Sequence, residues 1–564
     1  MRPRLDAAAE AVLLLGLLLA PWPYGAAADP ARYALAALVL LGAAVWAAGR
    51  ATGGEGLPLL AVPATGLPAL GLLQIAVGAS AVPVWTAEAA LLLAAMMAAL
   101  VFWSERGRDR AAAERLAGAV LAVCGAEAVF GAVQWSQAPN RIYGQATPIV
   151  TTPFGSYVNH NHFAGLMEMG IVLAAAMALG RARLRGGPTP GAVGLGALSL
   201  GLAAVHLASR SRGGLIALAA GLMVAGTLWL LAAARREGAR LRGWPLALGG
   251  AIVIAFGLAV VPAGTRAHLA TLFHGRADAS GDYRLDTARD TLRLAATHPL
   301  LGAGLGAYAD AFPPFKRAHG DVRTTHAESD VLELLAEGGL AGLALVAFLA
   351  VLLGRGLDER LRHGRNPYRK AIAVGAAGAV AALGVHSLFD FNLRLPANAL
   401  IFTSLLGLAG SPREAPRRVG SRALPAAAAL LLALLSGAAA WRASGSIALD
   451  RALLDPEPQM RVAALDPVLA RHPYLAEGYR ARGLAWRELA LGRRGFAPAR
   501  LEWAERDLRR AVGLRPSWGE AWADLAWTQR LRGDAASARE AMDRAARLDP
   551  THPHIARARD EMLK

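Results

Sequence analysis

Apolar residues gather in long runs, covering approximately 9–27, 31–48, 58–79, 85–103, 114–134, 163–180, 191–208, 213–234, 244–262, 332–353, 370–388, 396–410 and 423–441. A helix needs roughly 20 apolar residues to cross about 30 Å of hydrocarbon, so these thirteen runs read as membrane spans, with 396–410 the shortest. Lipid offers no hydrogen bonds to free backbone groups, and each span is therefore expected to be helical. The pattern predicts an all-α, polytopic bundle of about 12–13 transmembrane helices over residues 1–442. The first run follows Met1-Arg-Pro-Arg, but no small-x-small cleavage site is clearly placed before the next run, so it reads as a retained helix.

Two polar regions interrupt this pattern. Roughly 70 residues from Pro262 to Asp330 separate two apolar runs and hold Arg284 and His326, which predicts a large extracytoplasmic loop over 263–331. From Ile447 onward the chain becomes rich in Arg, Ala, Glu and Trp, and Pro516 and Pro550 stand 34 residues apart, the tetratricopeptide period. In the last unit Trp522, Leu525, Ala538, Met542, Ala545 and Pro550 keep the register, while Ala526 and Gln529 replace the usual Gly and Tyr. An earlier unit from Pro473 to Pro516 holds about nine extra residues around Gly492 to Pro498. Such helices bury their faces only against neighbours, so 447–564 is expected to form a small helical array, with a plain helical hairpin as the alternative.

Charge then gives a direction. Lys and Arg number 59 against 42 Asp and Glu, a net charge of +17, yet 55% of residues are hydrophobic and 18% charged. That composition excludes a soluble nucleic-acid binder and confines the basic residues to short connections. Arg106, Arg108, Arg110 and Arg115 share one connection, Arg181, Arg183 and Arg185 another, and Arg235, Arg236, Arg240 and Arg242 a third. The alternation continues with Arg355 to Lys370 and with Arg413 to Arg422. Short cytoplasmic loops accumulate Lys and Arg, so the N-terminus is expected inside, and the long loop and the segment from 447 outside. Cys124 lies in an apolar run and, as the sole cysteine, forms no internal disulfide.

Ionisable groups at a membrane edge are costly and mark candidate sites. Five clusters fall on the predicted outer side. In Asn159-His160-Asn161-His162, before the sixth span, either asparagine can cap the helix, whose positive end favours an anion. The two histidines diverge and lack a third ligand, so no metal is expected. Arg210 and Arg212, followed by Gly213 and Gly214, either snorkel to lipid headgroups or grip a phosphate or carboxylate, and the glycines argue for close backbone approach. Tyr283 to Thr297, with Arg284, reads as an amphipathic helix stopped by Pro299 and followed by Gly302, Gly304 and Gly306; no strand precedes these glycines, so a dinucleotide fingerprint is not expected. His326 sits at the water edge, where a neutral imidazole can accept a proton, and Glu328 and Asp330 either orient it or cap the following helix. His386 to Asn398 is a short connection in which Asp390 either pairs with an outer arginine or takes part in chemistry beside Asn392.

Together these motifs resemble the O-antigen ligase family, which includes O-antigen and exopolysaccharide polymerases and protein O-oligosaccharyltransferases. The resemblance is carried by Asn-x-Asn at 159–161, Ser-Arg-x-Arg-Gly-Gly at 209–214, His298-Pro-Leu-Leu-Gly-x-Gly-x-Gly, and His326 leading into Leu-x-Leu-Leu-Ala-Glu-Gly-Gly-Leu-x-Gly, over roughly residues 9–410. The His386 to Asn398 segment is similar to that of members carrying C-terminal tetratricopeptide repeats. Ala327 departs from the Asn that many members have after the loop histidine. The resemblance implies a glycosyltransferase of the GT-C type in the bacterial inner membrane. It would use an undecaprenyl-diphosphate-linked glycan as donor, need no cofactor, and transfer to a glycan, a lipid A core or a protein. Carried over, Arg212 and Arg284 hold the diphosphate and His326 activates the acceptor hydroxyl. Arg210, Asn159, Asn161, His162, Asp390 and Asn392 contribute to substrate binding, and the repeats offer a surface for a protein partner. A lipid-linked sugar flippase and a non-catalytic scaffold are the alternatives from other classes.

Overall fold

The computed structural model describes residues 1–147, 152–237, 279–317, 322–364, 366–412, 414, 417–492 and 497–563. Over these the chain is almost entirely helical. Its few strands are two-residue pieces, Leu57–Pro58 pairing antiparallel with Arg418–Val419, and Arg141–Ile142 with Gln145–Ala146. Among the described residues nine helices are long and apolar enough to cross a membrane: Asp29–Thr52, Pro83–Arg106, Arg110–Gln137, His160–Arg185, Pro190–Ala208, Arg212–Ala233, Asp330–His363, Pro367–His386 and Ala423–Leu453.

Four of the thirteen runs stand apart from these nine. The span expected at 244–262 lies outside the described residues. The first run is the helix Arg2–Leu19, charged in its N-terminal half, which buries Asp6 and Glu10. The run at 58–79 divides at Thr65 into Ala61–Ala64 and Gly66–Ala76, and that at 396–410 is Pro396–Ala409; both longer pieces are apolar but short.

The chain forms two compact units. The first comprises Met1–Gly66, Leu92–Ala277 and Leu345–Ala438; the second comprises Leu67–Leu91, Asp278–Ala344 and Ala439–Lys564. In the first unit the helices His160–Arg185 and Pro367–His386 pack along their length, and Arg212–Glu237 lies against both. Alanine and glycine allow this approach: a Cβ on Gly180 would sit 2.2 Å from the Ala371 Cβ, and one on Gly375 2.9 Å from that of Ala176. The arginine-rich connections of this unit meet one another. Arg50, buried, bridges Asp6, Glu55 and Glu105; Arg418 reaches Glu55 and Glu105; Arg106 and Arg115 share Glu10; and Arg360 donates to the Gly107 carbonyl. The acidic residues of the first helix are thus counter-ions for basic connections, which explains why that helix carries charge a free span would avoid.

In the second unit helix Ala279–Thr297 packs on the segment 303–336 through Leu294, Ala295, Ala303, Tyr308, Phe312, Ala327 and Ala336. The C-terminal helices Pro458–Arg471, Ala476–Ala490, Pro498–Leu514, Gly519–Leu531, Ala535–Leu548 and Pro553–Leu563 pack each on its sequence neighbours. The core of the last four includes Leu508, Trp518, Leu525, Met542 and Ile555.

Candidate functional site

The second unit brings His326 and Arg284 together. Helix Ala279–Thr297 lies beside the segment carrying His326, because the Tyr283 hydroxyl bonds the Thr324 hydroxyl at 3.0 Å and Arg284 Nε lies 3.4 Å from Glu328 Oε2. Glu328 adopts a φ of 55°, a left-handed conformation rare for a residue with a side chain. Burial pushes the Tyr283 phenol up, so it serves as a neutral hydroxyl.

His326 takes its orientation from Glu333, in the first turn of helix Asp330–His363. Its Nδ1 lies 3.0 Å from Glu333 Oε1, and the other carboxylate oxygen accepts the Ala327 N–H at 2.8 Å. An ionised carboxylate can only accept, so the imidazole donates through Nδ1 and Nε2 becomes its basic nitrogen. Glu333 is 1% exposed while the His326 side chain is 31% exposed, which places the carboxylate inside and leaves the ring partly open. The orienting role left open between Glu328 and Asp330 therefore falls to Glu333; Glu328 pairs with Arg284, and Asp330 begins the helix.

The glycine motif after Pro299 has a structural task. Helix Asp330–His363 breaks at Gly339, with φ 60° and ψ −163°, a region open essentially to glycine alone. The break frees backbone groups that lipid cannot satisfy. The turn supplies their partners: Pro299 and Leu300 carbonyls accept from Leu340 and Ala341, and the Ala303 and Gly304 N–H groups donate to Ala336 and Glu337. Gln74, fully buried, adds bonds to the Leu301 and Glu337 carbonyls and the Leu305 N–H. Glu337 in turn accepts the Tyr308 N–H at 3.0 Å.

The remaining candidates belong to the first unit. Asn159 caps helix His160–Arg185 by accepting the Asn161 N–H at 2.9 Å, which settles which asparagine is the cap. His162 Nε2 lies 3.2 Å from Asp390 Oδ1; Asn398 donates to the His162 carbonyl and to Asn392 Oδ1, and accepts from Tyr157. His162, Asp390 and Asn392 are all buried in this network. Arg210, exposed, takes a φ of 59°, and Arg212 opens the next helix behind Ser211, whose hydroxyl accepts the Gly214 N–H at 3.0 Å. Gly214 is needed for close approach: a Cβ there would lie 2.9 Å from Glu168 Oε1. Glu168 itself is wholly buried, 2.8 Å from His386 Nδ1 and 3.5 Å from His206 Nε2. Glu168 and His206 were not singled out in the sequence, since each is a lone polar residue within an apolar run; an ionisable group inside a predicted span was the available signal.

The fold and these clusters define an all-α, multi-pass membrane protein. Residues 197–347 match the family model described as O-antigen ligase, a range that contains Arg210, Arg212, Arg284, His326 and Glu333. The match bears out the family resemblance over that segment. No curated protein is matched by the chain.

Proposed function

We propose that the protein transfers a glycan from a polyprenyl-diphosphate donor to an acceptor hydroxyl on the extracytoplasmic side of the bacterial inner membrane. The observation that carries this reading is the His326–Glu333 pair, a partly exposed imidazole whose tautomer is fixed by a buried carboxylate. His326 Nε2 takes the proton of the acceptor hydroxyl as that oxygen bonds the donor's anomeric carbon. The bond from that carbon to the phosphate oxygen breaks, and the polyprenyl diphosphate leaves with the electron pair. Fixed cations stabilise its growing charge. Arg284, already holding a carboxylate, is suited to this, and Arg212 is the first unit's candidate for the same chemistry. The matched family and the placement of all these residues within 197–347 support the reading.

The test is the glycan pool of the native host carrying His326→Ala. Turnover is expected to fall by about 10²- to 10⁴-fold. Lost surface glycan with polymer accumulating on the polyprenyl carrier identifies transfer to a final acceptor; single repeat units on the carrier identify polymerisation. Unchanged pools overturn the catalytic reading.

A further inference from the structure

A cleft of about 200 Å³ lies within the second unit, between the segments around Phe312 and Thr324 and the last helices of the C-terminal array. Beside it, Arg515 and Asp310 form a buried two-point ion pair, and the Arg515 guanidinium lies over the rings of Trp85 (4.0 Å) and Trp518 (4.2 Å). Arg480 also lies over the Trp518 ring, at 4.8 Å. The Trp518 ring is therefore already engaged by two cations, and its Nε1 is the group left to be bonded.

Trp518 Nε1, Asp549 Oδ1 and His552 Nδ1 belong to residues that line this cleft; each is buried, and none has a hydrogen-bond partner among the described residues. Buried polar atoms are nearly always paired, and leaving them unpaired is costly. Three in residues around one cavity mark a place where side-chain adjustment on binding lets a ligand complete the bonding. Their chemistry alternates: the indole N–H donates, the carboxylates of Asp549 and Glu520 accept, the imidazole does either, and Lys316 and Arg323 add donors. A hydroxyl both donates and accepts, so a polyhydroxylated ligand matches this set. A peptide is matched less well, because helical and extended peptides are held by open apolar pockets or sheet edges, whereas here Phe312 is stacked on Tyr308 and the Trp518 ring is engaged by Arg480 and Arg515.

We infer that this cleft binds a saccharide segment of the acceptor, presenting its terminal hydroxyl toward His326. The inference rests on the transfer reading above for the word acceptor, and on the cleft alone for the saccharide. Thr324 lines the cleft two residues before His326 and bonds Tyr283, so one strand of chain joins the two places.

The experiment uses the full-length protein in lipid nanodiscs. The probe is the host's own surface polysaccharide, released by mild acid, size-fractionated to oligosaccharides, fluorescently labelled and followed by anisotropy. Saturable binding is expected, weakened at least about five-fold by Trp518→Phe, which keeps the stacked ring but removes the donor, and similarly by Asp549→Asn. An unchanged melting temperature separates this from misfolding, and in transfer assays both variants raise KM for the acceptor more than they lower kcat. His326→Ala retains oligosaccharide binding. Absence of saturable binding, or equal binding by both cleft variants, overturns the inference. Binding that needs the cleft residues while His326→Ala transfers normally leaves the saccharide site standing and removes the catalytic role.

Discussion

The two oxygens of Glu333 make different demands, and a single atom exchange separates them. Ala327 N–H requires an acceptor on one side, and His326 Nδ1 faces the other. In Glu333→Gln the amide oxygen must therefore serve Ala327, which turns the NH₂ toward the imidazole. Nδ1 then accepts, Nε2 carries the proton, and the ring loses its basic nitrogen. Turnover in a donor-consumption assay is expected to drop between about 10- and 10⁴-fold with the protein still inserted; wild-type rates would remove Glu333 from the mechanism. His326 was legible because a lone histidine among polar residues at a membrane edge stands out. Glu333 was not, since it lies seven residues further on, where the pattern has already become that of an apolar helix. Asp390 likewise revealed its polarity but not its partner, because His162 is 228 residues away and no local spacing encodes such a pairing.

Among the elements, the turn around Gly302 shows what a motif can mean. The sequence made it a glycine-rich turn after a helix and excluded a dinucleotide fingerprint; the structure makes it the plug of a broken helix. Gly302 has a φ of 74°, and a Cβ there would fall 2.2 Å from the Glu337 backbone. Gly302→Ala is expected to lower stability by more than the ~1–3 kcal/mol of backbone strain alone, measured as a reduced melting temperature in detergent. The C-terminal helices invite a second test. Glu505, in helix Pro498–Leu514, is pushed upward by burial, but hydrogen bonds from Arg532, Gln529 and Arg509 outweigh this and hold its pKa below the model-compound value of 4.5. A carboxyl depressed by folding adds stability above its unfolded pKa and loses it as pH falls through the folded one. Circular dichroism melts should therefore show the array intact near neutrality and weakening below pH 4.5, with Glu505→Gln reducing that dependence. The helix positions were legible from apolar periodicity and proline landmarks; the breaks at Thr65 and Gly339 were not, because an apolar run looks continuous whether or not its backbone is.

For the whole molecule, charge bias gives an expectation of sidedness, whereas long-range contacts leave no mark in the pattern. The basic connections expected inside do meet in the first unit, around Arg50 and Glu10. A phosphatase reporter that folds only outside the cytoplasm, fused after Lys564, is expected to be active; activity of a cytoplasmic reporter there would reverse the predicted side of the C-terminal segment. What no pattern announced is that Leu67–Leu91, Asp278–Ala344 and Ala439–Lys564 form one unit, since contacts between distant segments leave no periodic trace. That composition imposes an order in time. Asp310 emerges from the ribosome 205 residues before the Arg515 that neutralises it, an interval of roughly 10–40 s at about 5–20 residues per second. Until then its carboxylate cannot be buried without a large penalty, and the segment bearing His326 waits in an unfinished state. Synthesis through residue 515 thus acts as a licence: a chain interrupted before it can insert its early helices while Asp310 still lacks its cation.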